Sequence, residues 1–169
     1  MILYALQAKD NSGKSTALKK LAASLLGGGA RMQFCEPATS RSALVAQIAS
    51  ERRTRAAGGA EEVADVLLVL DADGVKVGVA TDGGTPEKTA EALAAFEDAG
   101  CEVAFCAVRS KGAVQAMLEK YARKNTVYRV EKAVLENAQD FPAANRYMDE
   151  LNDWQSGQLL RFLRGDAEK

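Results

Sequence analysis

The chain has 169 residues, 47% of them hydrophobic and 27% charged, the proportions of a globular domain with a real core. Its 22 basic and 23 acidic residues nearly cancel, which argues against an electrostatic nucleic-acid binder. It contains no histidine, so Ser-His and Cys-His nucleophile pairs and histidine-held metals are excluded, and proton transfer falls to carboxylates, lysines or water.

No apolar run approaches the roughly 20 residues of a membrane span. The stretch Met1–Leu6 lacks a basic lead and soon meets Lys9 and Asp10. Neither a membrane anchor nor a secretory signal is therefore expected, and the expected compartment is the cytoplasm. Cys35, Cys101 and Cys106 are odd in number and form no CxxC pair, so they read as small hydrophobes, not as a disulfide or zinc framework.

Residues 1–7 are a near-continuous apolar run, the pattern of a strand buried on both faces. After a loop, Ala17, Leu18, Leu21, Ala22 and Leu25 recur at helical spacing, and Gly27-Gly28-Gly29 stops the helix. Met32–Cys35 reads as a strand. A helix follows with Ala43, Leu44, Ile48 and Ala49 on one side, running to about Arg55 before Gly58-Gly59. Residues 63–70 and 75–81 read as strands joined by Asp71-Ala72-Asp73-Gly74, a hairpin signal.

Thr85-Pro86-Glu87 supplies a cap, a first-position proline and a first-turn acid for a helix that ends at Gly100. Glu102–Val108 reads as a buried strand, Lys111 to about Lys124 as a helix, and Thr126–Val130 as a last strand. From about Ala143, the residues Tyr147, Leu151, Trp154, Leu159, Leu160 and Leu163 form an amphipathic closing helix. The alternation predicts one α/β domain over residues 1–169, three layers deep, with a mainly parallel sheet and one antiparallel hairpin strand.

The stretch Ala8-Lys9-Asp10-Asn11-Ser12-Gly13-Lys14-Ser15 lies between the first strand and the first helix. It fits the phosphate-binding loop pattern in the form that admits Ala at its first position. In such a loop the backbone N–H groups cradle phosphate oxygens, and Gly13 permits close approach. Lys14 supplies positive charge, Ser15 offers its hydroxyl to Mg²⁺, and the helix N-terminus points its dipole at the anion. Ala8, Asn11, Ser12, Gly13, Lys14, Ser15 and Thr16 are thus the expected nucleotide-binding residues, with a solvated turn as the alternative.

Residues 1–26 resemble the strand–loop–helix that opens the P-loop NTPase superfamily, as in small nucleoside and nucleotide kinases, with Gly13 to Thr16 as the characteristic run. The resemblance implies a second acid near the metal. Asp82, after Val75–Thr81 and before Gly83-Gly84, is placed for that role at a strand's C-terminal edge. A plain turn is the alternative, and Asp71 competes for the role. Glu36-Pro37 resembles a turn of nucleoside monophosphate kinases in which a carboxylate meets substrate or metal. Asp10 sits where some small-molecule kinases place a base.

Arg52, Arg53 and Arg55 read either as a phosphate-neutralising lid or as a solvated helix end. Arg109 reads as a contact to phosphate or to a substrate anion, and Ser110 equally as a helix cap. The chain has no Asn-Lys-x-Asp run of the kind that reads guanine, which favours ATP.

The expected function is Mg²⁺-dependent ATP binding, with hydrolysis or phosphoryl transfer to a small-molecule acceptor. Lys14, Asp82, Glu36 and Asp10 are the catalytic candidates, and Ser15 and Asp82 the metal ligands. The alternative is a nucleotide-binding switch with negligible turnover whose Trp154 helix meets a partner. A transferase should have two pockets, and a switch one pocket and an exposed apolar patch.

Overall fold

The opening apolar run forms β1 (Ile2–Ala8), and the helical-period residues after it form α1 (Lys14–Gly27). The computed structural model describes residues 1–9, 13–56, 64–134 and 144–165. It continues with β2 (Arg31–Glu36), α2 (Arg41–Ala56), β3 (Leu67–Ala72), β4 (Val75–Ala80) and α3 (Pro86–Asp98). Then follow β5 (Val103–Arg109), α4 (Ala113–Ala122), β6 (Thr126–Glu131) and α5 (Ala144–Arg164).

The strands form one sheet in the order β2-β3-β4-β5-β1-β6. β4, β5, β1 and β6 are parallel neighbours, whereas β3 runs antiparallel to both β2 and β4. The result is a mixed, mostly parallel sheet in an α/β domain. The hairpin turn is tighter than expected, because Asp71 and Ala72 belong to β3. Asp73 and Gly74 alone make the reversal, with φ of 54° and 89°, the conformation a two-residue type I′ loop demands. The strand starts at Leu67 and not at Val63, which lies outside the described residues, as do Gly58 and Gly59.

Side chains alternate between two cores. Leu68, Leu70, Val77, Val79 and Phe105 face α1, α2 and the end of α5. Val69, Ala104, Cys106 and Val108 face α3 and α4 through Leu93, Phe96, Val114 and Leu118. Helices thus cover both faces, as a buried parallel sheet requires. Tyr4 stacks on Phe105, Tyr128 and Phe162 at ring separations of 5.2–5.3 Å, fastening α5 to the sheet.

The first turns of α5 depart from the expected stripe. Tyr147 and Trp154 are 49% and 56% exposed, and the helix instead buries Asp149, Asn152, Gln155 and Ser156 ahead of Leu159. The reason lies on α1, where Lys20 is only 7% exposed. Its ammonium reaches Asp149 at 2.7 Å and Asp153 at 2.9 Å, so the facing turns of α5 must carry carboxylates. Lys19 is buried as well and pairs with Glu51 of α2 at 3.4 Å. No helix among the described residues is long and apolar enough to cross a membrane.

Candidate functional site at the C-terminal edge of the sheet

The parallel strands β1, β4, β5 and β6 all end on one edge, where open α/β sheets gather their ligands. β1 delivers Ala8 there and α1 departs from it. Asp10, Asn11 and Ser12 lie outside the described residues, so the roles expected of them fall there. α1 starts after Gly13, whose φ of +81° suits a residue without a Cβ. Among the described residues no side chain caps this helix start, and its first turn holds no acid, which favours an anion at its leading N–H groups. The Lys14 ammonium bends back to donate to the carbonyls of Ala8 at 3.1 Å and Lys9 at 2.7 Å. Thr16 is 5% exposed and sits inside the fold, so only its backbone is placed to serve the loop.

Lys14, Ser15, Asp82 and Arg109 line one cleft of about 400 Å³. Ser15 donates its hydroxyl proton to the carbonyl of Thr81 at 2.8 Å, so α1 and the end of β4 are joined directly. β5 lies between β1 and β4, and the first turn of α1 bridges across it to bring Ser15 beside Asp82. Arg109 ends β5 opposite Ala8. The rival acid Asp71 is at the other edge, where it accepts from Arg31 at 2.7 Å and from the Gly74 N–H at 2.9 Å. Ser110 does not cap α4; its N–H donates to Ala8, and Gly112 precedes the helix.

Burial works to raise the pKa of Asp82, but the hydrogen bond and charge of Lys88 and the Gly84 N–H outweigh it. The carboxyl is held below its ordinary value and is ionised at neutral pH. An alcohol and an ionised carboxylate on one cleft form an all-oxygen donor set. No cluster of three metal-ligating side chains occurs among the described residues. That set fits Mg²⁺, which is held by one or two carboxylates plus phosphate oxygens and waters, and not by a protein cage.

A second cleft of about 440 Å³ adjoins the first and shares Asp65 and Asp82 with it. Glu36, at the end of β2, opens into this second cleft with Phe34 and Glu91, and does not line the first. Arg53 is exposed on α2, and the side chains of Arg52 and Arg55, with the lid expected of them, lie outside the described residues.

Three residues at this edge escape sequence reasoning. Asp65 accepts from the Thr81 hydroxyl at 2.8 Å and stands between the clefts. Lys132 follows β6 directly and is 4% exposed. Asn152 of α5 is 1% exposed, and its Oδ1 would be 2.7 Å from a Cβ on Gly13. Only the Asp before a β-rich run offered a local signal, for Asp65. Compared with known protein families, curated proteins and solved structures, the chain gives no match.

Proposed function

We propose that this chain is a Mg²⁺-dependent ATP-binding protein of the P-loop NTPase type, which hydrolyses ATP or passes its terminal phosphoryl group to a small acceptor. The observation that carries this reading is the convergence of Lys14, Ser15, Asp82 and Arg109 on one cleft from three separate segments of the chain. In this reading the loop amides and Lys14 hold the phosphate chain and offset charge that builds on the transferred group. Ser15 and Asp82 would hold Mg²⁺, which would supply charge neutralisation. The adjoining cleft supports an acceptor, with Glu36 placed to orient it and Asp65 and Asp82 forming the shared wall.

A second reading, a switch that binds nucleotide and a partner with little turnover, is favoured by Tyr147 and Trp154, both exposed on α5. Both readings are tested by titrating ATP and GTP, with and without Mg²⁺, into wild type and Lys14→Ala, followed by an assay for ADP release. The expected result is Mg²⁺-dependent ATP binding by wild type that Lys14→Ala loses. Binding without ADP release, alone or with candidate acceptors, selects the switch. A wild type that binds neither nucleotide ends the phosphate-site reading.

A further inference from the structure

Among the described residues, Lys132 is a buried cation with no ion-pair partner. Its N–H donates to the carbonyl of Gln7 at 3.0 Å, which extends the β1–β6 ladder to the root of the phosphate loop. The side chain is enclosed, and its ammonium has a single acceptor among the described residues, the carbonyl of Ala133. Ala133 is itself fixed by its N–H to Oε1 of Gln155 on α5 at 2.9 Å.

The described carboxylates of α5 and of the end of β6 are engaged by other side chains. Asp149 and Asp153 of α5 pair with Lys20, and Glu131 accepts from the side chain of Gln7. Among the described residues, the charge that acts on Lys132 is that of Lys14, on α1, and it has the same sign. Burial first, and Lys14 second, push the Lys132 ammonium down to about 8. Burying the Lys132 ammonium beside a second cation is costly unless an anion joins it. A second buried group with spare capacity stands at the same helix end: Oδ1 of Asn152 has no partner among the described residues and lies against Gly13.

We propose that Lys132 is a second phosphate-binding cation of this site, so that the pair Lys14 and Lys132 selects a ligand with at least two linked phosphoryl groups. The inference rests on the phosphate-site reading above. Free Lys132 is partly deprotonated slightly above neutral pH, and the arriving polyanion draws a proton back onto it.

The test titrates ATP, and separately inorganic tripolyphosphate, into wild type, Lys132→Gln, Lys132→Arg and Lys124→Gln. The titrations are run at about pH 8.5, just above the lowered value of Lys132, in buffers of different ionisation heat. Wild type should take up a fraction of a proton with ATP, whose phosphates are fully ionised at this pH, should bind tripolyphosphate as well, and should bind monophosphate far more weakly. Lys132→Gln should bind roughly tenfold more weakly, the scale of one charge-assisted contact, and take up no proton. Lys132→Arg should keep most of the affinity but take up no proton, because guanidinium is charged throughout. Lys124→Gln, exposed beyond the end of α4, should match wild type.

Tighter binding of ATP than of tripolyphosphate identifies a nucleotide as the source of the phosphates, and equal binding a bare polyphosphate. Wild-type binding without proton uptake, or Lys132→Gln binding like wild type, overturns the role of Lys132 and leaves the site standing. No binding by wild type overturns the site itself. If Lys132→Gln does not fold, proton uptake by wild type and its loss in Lys132→Arg decide.

Discussion

Gly83 has no room for a side chain: a Cβ there would lie 1.6 Å from the carbonyl oxygen of Ala107. The contact is backbone to backbone across the ends of β4 and β5, so it cannot be relieved by a rotamer change. Gly83→Ala should cost roughly 3 kcal/mol in urea unfolding and, where it folds, displace Asp82 and weaken Mg²⁺-dependent binding. Asp82 itself carries a pH signature. Its folded carboxyl lies below the ordinary value, so its stabilising bonds to Lys88 and Gly84 are complete at neutral pH and are lost as pH falls through the folded value. Asp82→Asn should therefore flatten the acid limb of a Tm-against-pH curve below about pH 4. An unchanged limb would mean that other carboxylates carry it. Lys14, Ser15 and Asp82 were legible in the sequence because each belongs to a contiguous strand–turn pattern. Asp65, Lys132 and Asn152 were not, because what brings them to the site is the order of strands and the packing of α5, which no local pattern encodes.

At the scale of elements, every expected strand and helix is present within the described residues, and errors concentrate at the ends. Period and glycine stops located α1, and the Thr85-Pro86 cap located α3, where the Thr85 hydroxyl accepts from the Lys88 N–H. The face that α5 buries was not legible, since apolar periodicity pointed to Tyr147 and Trp154. The contact is decided by Lys20, a charged residue on the buried side of a leucine-rich helix. Breaking that ion pair from one side leaves carboxylate charge in the α1–α5 interface. Lys20→Met should thus destabilise the protein by about 3 kcal/mol, and the added change Asp149→Leu should recover most of that loss. Equal stability of Lys20→Met and wild type in chemical unfolding would show that the pair holds nothing together.

For the molecule as a whole, the sheet order puts β4 and β5 at the centre and β2 at an edge, which should grade resistance to opening. The three cysteines sample that gradient. Cys35 is partly exposed on β2, whereas Cys101, two residues ahead of β5, and Cys106, in its middle, are buried. Burial pushes the Cys106 thiol up to about 12, so it presents almost no thiolate while the fold is intact. A thiol reagent should therefore label Cys35 in the native state through local opening, with little dependence on dilute denaturant. Cys106 should react only through global unfolding, its rate rising with denaturant along the full slope of the unfolding transition. Because the same strand, β5, ends in Arg109 and separates the phosphate loop from Asp82, its late opening would keep the two halves of the cleft in register whenever the edge frays. Labelling of Cys106 at the pace and denaturant dependence of Cys35 would show instead that β5 opens locally, and that the cleft has no rigid centre to be built on.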